Sequence, residues 1–367
     1  MTAGTLGYRP GLDGIRALAV LSVMATHTGI RYFRWGYLGV DVFFVLSGFL
    51  ITTILLEEHL ATGRISVPRF YSRRALRLFP AVFVLIAVSL LPFNPGLRAT
   101  RIHAAVIALA YGSNWAMAFQ WSTWMGPLGH LWSLACEEQF YLIWPLTLIA
   151  LLHLVGPRPM VLARSAAAGA SASAALRIGL FFAGSTPERL YYAIDTRADG
   201  LLLGCVLGIL FVFDRLPAAK LDGVRLSVAL AAVAVVASPM LVSLWRDPYM
   251  LVAGYLLAAL ISGGLIIAVV SRQYPLLLRV LERRELVWVG RISYSLYLWH
   301  YLVLMNLASV PMSIPVRIVV TFTVSFVVAA ASFYFVERPF LRLKDRWSAN
   351  RGTSRRALVP PSPQVVQ

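Results

Sequence analysis

The stretch GLDGIRALAVLSVMATHTGI, residues 11–30, is oily enough to lie in a bilayer, yet it carries a guanidinium, Arg16, and an imidazole, His27. Histidine titrates where it can take a proton from a hydroxyl, and arginine is a fixed cation suited to an anionic substrate. Eleven positions bring the two side chains within about 20° of each other around a helix and ~16 Å apart along it. One face of one helix therefore offers an anion contact at one end and a base at the other. Asp13, one turn before Arg16, is placed to pair with it. The structural alternative for His27 is an interfacial residue bonded to backbone.

Further polar residues interrupt apolar stretches along the chain. GVDVFFVLSGFLIT (39–52) puts Asp41 at the start of the second apolar block, close in depth to His27, where it would either orient the imidazole or cap a helix. RFYSRRALRLFP (69–80) carries Arg74 and Arg77 one turn apart, able to converge on one anion. The same arginines also suit the positive charge that flanks membrane spans. GHLWSLACEEQFYLIWP (129–145) holds Glu137 and Glu138, whose side chains point about 100° apart on a helix and so cannot share a role. Cys136 beside them reads as a packing residue. DTRADGLLLG (195–204) brings Arg197 and Asp199 to the edge of a span, and GRISYSLYLWHYLV (290–303) aligns Ser293, Tyr297 and His300 at helical spacing. The aromatics of that last stretch also fit an interfacial belt. VERPF (336–340) ends the last apolar block with a charged, proline-broken turn.

The elements that must position these groups are membrane helices. Of 367 residues, 59% are hydrophobic and 13% charged, and the mean hydropathy is +0.73. Apolar blocks fall at about 13–30, 37–57, 79–93, 102–119, 131–155, 166–183, 199–213, 226–244, 250–270, 292–309 and 316–336. Many approach the ~20 residues that span a bilayer as helix. The fold expected is an all-α integral membrane protein, a polytopic bundle of about ten transmembrane helices. Eleven blocks would leave the termini on opposite faces, whereas the basic stretches 64–77, 156–164, 214–225, 272–291 and 338–356 should share the cytoplasm with Arg9. One block within 79–119 is therefore expected to be re-entrant or incomplete, with 79–93, the shorter, as the candidate. The N-terminal block lacks a small-x-small cleavage site and is taken as the first span, not a signal peptide.

The net charge of +17 follows from basic residues clustered at span boundaries, and no soluble basic domain exists to hold a nucleic acid. The two cysteines, Cys136 and Cys205, lie in apolar surroundings and indicate neither a disulfide framework nor a metal site. No zinc-like ligand spacing is present.

Taken together, DGIRALAVLSVMATH, GVDVFFVLSGFLIT, FYSRRALRLFP, HLWSLACEEQFYLIWP, TRADGLLLG, ISYSLYLWH and VERPF resemble, in order, the motifs of the membrane-bound acyltransferase-3 family. Members include O-acetyltransferases of lipopolysaccharide and peptidoglycan and macrolide O-acyltransferases. The likeness runs over residues 8–345, and 346–367 reads as a disordered basic tail. It implies acyl transfer from cytoplasmic acyl-CoA, with acetyl-CoA the expected donor, to a hydroxyl of a carbohydrate, lipid-linked glycan or macrolide-like acceptor. By motif position it implies that Arg16 and His27 match the family's Arg–His pair, Arg74 and Arg77 its Arg-x-x-Arg, and Glu137, with Ser133, its Trp-Ser-Leu-x-x-Glu. Asp41, Arg197 and Asp199 match further polar positions. The SGNH-type esterase domain of some members is not expected in so short a chain, which favours a stand-alone enzyme.

On this reading Arg74 and Arg77 hold the CoA phosphates, Arg16 lines the pantetheine route, and His27 is the general base or a transient acyl acceptor. Glu137 and Asp41 are expected to orient His27, while Asp13, Arg197, Asp199, Ser133, Tyr297 and His300 contribute to substrate binding. No permanent cofactor or metal is required. The chain is expected in the inner membrane with both termini cytoplasmic. The competing class is a permease or flippase for an anionic glycan or lipid, which would need the same buried charges without the chemistry; a non-catalytic scaffold has no use for so many.

Overall fold

The computed structural model describes residues 5–91, 98–121, 125–216 and 238–342, and these are overwhelmingly helical. The helices are α1 (Pro10–His27), α2 (Gly39–Thr62), α3 (Val67–Ser89), α4 (Arg98–Leu109), α5 (Ser113–Ala118), α6 (Trp132–Val155) and α7 (Pro159–Phe182). They continue with α8 (Pro187–Tyr192), α9 (Ala198–Val212), α10 (Tyr255–Val270), α11 (Pro275–Leu281), α12 (Arg284–Arg291), α13 (Ser293–Leu307) and α14 (Ile314–Ala331). Short 3-10 segments, Arg31–Leu38 and Gly126–Leu131, lead into α2 and α6. Proline starts α1, α7 and α11, where its missing N–H costs nothing, and Gly63 in the left-handed region closes α2.

Among the described residues, five segments are long and apolar enough to cross a membrane: Tyr32–Thr62, Gly126–Val155, Pro159–Phe182, Met250–Val270 and Ile314–Arg342. Their outer faces show large apolar side chains, such as Leu142 and Ile143 on α6 and Val319 and Val327 on α14, as lipid-facing surfaces do. Most of block 226–244, the basic stretch 214–225 beyond Leu216, and the tail 346–367 lie outside the described residues.

The apolar block 79–93 continues the helix α3, which runs for 23 residues from Val67 and is not one of the five spanning segments. The arginines 73, 74 and 77 therefore ride on the same rigid rod as the apolar segment. The broken block is 102–119, where α4 ends and the chain turns through Tyr111 (φ +50°) before the six-residue α5.

Glycines set the closest crossings. A Cβ on Gly48 would lie 1.8 Å from the carbonyl oxygen of Leu201, and one on Gly204 would lie 2.0 Å from that of Val45. Helices α2 and α9 thus touch backbone to backbone, the small-residue packing that membrane helices favour. Likewise Gly14 of α1 meets the Leu281 carbonyl and Gly290 of α12 meets that of Asp13. The crossing of α2 with α9 is what brings Asp41 to Arg197. Gly204→Val should force the two helices apart at a cost of about 1–3 kcal/mol or more. The expected result is a thermal midpoint in detergent several degrees below wild type, with activity lost in parallel.

Candidate active site

A cavity of about 450 Å³ opens between α1, α2, α3, α6 and α13. Arg16 of α1 and Arg73, Arg74 and Arg77 of α3 line it, with Glu137 and Tyr141 of α6 opposite. The Arg74 guanidinium lies 3.2 Å from the centroid of the Tyr141 ring and donates to Glu138 at 2.8 Å. Glu137 instead accepts from Ser47 Oγ at 2.9 Å, so the neighbouring acids do point to different partners. Arg16 has Asp13 only at 3.9 Å, and Arg77 forms no hydrogen bond or ion pair with a described residue. Four guanidinium groups around one space, two of them loosely held or unpartnered, make a receptor for a multiply charged anion.

The cavity stops at a polar latch on the α6 and α13 walls. Tyr297 donates its hydroxyl proton to the His130 carbonyl at 2.7 Å, so the 2.5 Å contact with Ser133 has Ser133 Oγ as donor. Both residues line the cavity, whereas His27 does not. His27 is linked to that wall through His300, whose ring centroid is 5.7 Å from that of Tyr297 and which hydrogen-bonds His27. A second cleft of about 320 Å³, bounded by Thr26, Gly29, Ile30, Arg34 and Leu244, lies at the His27 end of α1. His27 itself lines neither space.

The contact expected between His27 and a carboxylate is not made. Asp41 Oδ1 accepts from Arg197 at 2.7 Å, its other oxygen has no partner among the described residues, and Glu137 is held by Ser47. The partner of His27 is His300: Nδ1 to Nε2 is 2.8 Å. His130, from the 3-10 turn ahead of α6, places its ring 5.4 Å from His300, and Tyr301 lies 5.0 Å from His27. Among the described residues, no group of three His, Cys, Asp or Glu side chains is placed to hold a metal ion.

Arg197 and Asp199 belong to a separate buried network, not to the cavity. Arg177 of α7 pairs with Asp199 at 2.7 Å and donates to the carbonyls of Thr196 and Leu251. Arg197 lies 3.7 Å from the centroid of the Tyr255 ring. Cys136 is buried and its thiol contacts the Tyr192 carbonyl, in keeping with a packing role.

The model of the acyltransferase domain family, Acyl_transf_3, matches residues 9–336. The chain belongs to the acyltransferase-3 family. It is 35% identical over 346 residues to the peptidoglycan O-acetyltransferase OatA of Listeria monocytogenes, covering 90% of this chain and 56% of that protein. It is also 35% identical over 348 residues to the O-acetyltransferase OatA of Staphylococcus aureus (90% and 57%). To the putative peptidoglycan O-acetyltransferase YrhL of Bacillus subtilis it is 36% identical over 374 residues (96% and 57%). The chain thus spans little more than half the length of these relatives. No solved structure matches it significantly.

Sequence reasoning did not single out four residues of this site and its surroundings: His130, Arg177, Arg73 and Ser47. Arg177 carried a usable signal, a lone cation in an apolar block, the reasoning that marks Arg16. Glu337, quoted within VERPF, proves buried, accepting from Ser295 and Ser332 within electrostatic reach of Arg77 and Arg16.

Proposed function

We propose that this chain is an inner-membrane O-acetyltransferase, with both termini cytoplasmic, that moves an acetyl group from acetyl-CoA to a hydroxyl of a cell-envelope carbohydrate. The observation that carries the reading is the arginine-lined cavity whose wall residue Tyr297 packs on His300, the hydrogen-bond partner of His27. A thioester whose phosphates rest on Arg73, Arg74, Arg77 and Arg16 would extend its acyl end toward Tyr297. The acceptor would enter through the cleft beside Thr26. The relatives named for O-acetylation of peptidoglycan support a glycan hydroxyl as acceptor.

In the direct route, the acceptor oxygen bonds to the thioester carbonyl carbon while His27 Nε2 takes its proton. The carbon–sulfur bond then breaks, and the thiolate leaves with that proton as free CoA. The same residue could instead hold the acetyl group transiently before the alcohol attacks. For either route the Ser133–Tyr297 wall would have to open, because both residues line the donor cavity and His27 does not.

A permease with the same charges would leave the thioester intact. Protein purified in detergent should release thiol from acetyl-CoA, and add acetyl to peptidoglycan glycan fragments, at a rate that depends on His27. Intact acetyl-CoA after prolonged incubation with active-condition protein and acceptor would sink the enzymatic reading. Arg77→Ala tests the donor site with the least structural disturbance, since no described residue depends on Arg77 for its hydrogen bonding. A charged hydrogen bond is worth about 1.5–3 kcal/mol, so KM for acetyl-CoA should rise by roughly 10–100-fold. The kcat should change by less than about threefold if the contact is equal in ground and transition states.

A further inference from the structure

The His27–His300 contact has a geometry that determines where every proton in it lies. His300 Nδ1 is 2.7 Å from the Tyr297 carbonyl oxygen and 3.0 Å from that of Leu296. A ring nitrogen facing two carbonyl oxygens must carry a hydrogen. Neutral His300 is therefore bare at Nε2. That bare nitrogen lies 2.8 Å from His27 Nδ1, so His27 is the donor and is protonated at Nδ1. His27 Nε2 is left with its lone pair. The two rings are 11° from parallel with centroids 5.1 Å apart. With nitrogens only 2.8 Å apart, this is a pair of nearly coplanar rings bonded end to end, not face to face.

We infer that His300 is the positioning residue for the base: its Nε2 holds His27 in the tautomer that presents a lone pair at Nε2. The inference rests on the proposed role of His27 in acyl transfer. In hydrolytic triads a carboxylate fills this position, orienting an imidazole and stabilising the cation that forms on it. Here the two carboxylates that the sequence offers for the role are engaged elsewhere, Asp41 by Arg197 and Glu137 by Ser47. The groups around the pair are the rings of His130, Tyr297 and Tyr301. An imidazole acceptor suits that site because it adds no resident charge to an apolar interior, where a carboxylate would have to be desolvated. His300 is 1% exposed, and its Nδ1 is tied to its own helix, so the acceptor nitrogen cannot swing away without breaking those bonds. When His27 Nε2 takes the acceptor proton, the Nδ1–H bond to His300 becomes charge-assisted and strengthens in the transition state.

Three variants separate this role from simple packing. His300→Phe keeps a ring of similar bulk but has no acceptor. His300→Gln sets an amide oxygen near the place of Nε2, and His300→Asn sets its amide near the place of Nδ1, too short to reach His27. In thiol-release assays with acetyl-CoA, His300→Phe and His300→Asn should lose about 10²–10³-fold in kcat with KM within about threefold of wild type. His300→Gln should recover to within roughly tenfold of wild type. A kcat for His300→Phe within threefold of wild type overturns the inference. So do equal rates for Gln and Asn variants of equal thermal midpoint, a comparison that holds even if the Phe variant does not fold. His27→Ala, measured alongside, keeps the two readings apart. If it is active, the role of His27 fails and this inference falls with it; if it is inactive while His300→Phe is active, only the role of His300 fails.

Discussion

Thiol release from acetyl-CoA by the His27→Ala protein should fall at least ~10³-fold, to the level of the buffer. General-base assistance alone accounts for about 10²–10⁴-fold, and no other described side chain is set to take over. The described ring contacts of His27 are with His300 and Tyr301, at the end of α1 rather than in its tightly packed middle. The truncated protein should therefore fold and insert, with a thermal midpoint within a few degrees of wild type. It should also bind acetyl-CoA normally, because the four arginines line a cavity that His27 does not. Loss of turnover with retained binding is the pattern of a group that acts in the transition state only. Wild-type turnover would remove His27 from the chemistry, whereas a joint loss of binding and turnover would make its role structural.

That experiment depends on residues the sequence marks clearly and on contacts it does not. Arg16, Arg74, Arg77, Glu137, Ser133 and Tyr297 come together around one cavity, and each is conspicuous as a polar group in an apolar helix. The cost of placing such groups in hydrocarbon makes their presence informative in a single sequence. Partnership is different. Asp41 meets Arg197 across 156 positions, and His27 meets His300 across 273. Which pairs form depends on how helices cross, and that is set by backbone contacts such as Gly48 on Leu201. Helical period says which face a residue occupies but not which helix faces it. The same limit explains the block 102–119: its composition is as apolar as a spanning helix, and the break at Tyr111 has no proline to announce it. His130 escaped notice because it sits in a 3-10 turn, outside any periodic pattern.

Removing the Asp41 carboxylate should damage the fold before it touches the chemistry. Arg197 is 1% exposed, and Asp41 is its ion-pair partner at 2.7 Å; its Nε and Nη1 already lack partners among the described residues. Stripping the partner from a buried charge costs about 3–5 kcal/mol, far more than the pair contributes over an apolar replacement. Asp41→Ala should therefore give a low yield and a thermal midpoint lowered by ten degrees or more. The double variant Asp41→Ala/Arg197→Met removes both charges together and keeps much of the arginine stem's volume against Tyr255. It should recover most of the lost stability, with thiol release within about tenfold of wild type, because neither residue lines the arginine cavity or touches His27. The opposite pattern is equally readable. A stable Asp41→Ala protein with kcat reduced a hundredfold would place the carboxylate with the base, as its position beside His27 in depth first implies. The ion pair with Arg197 would then be a resting arrangement that the working enzyme breaks.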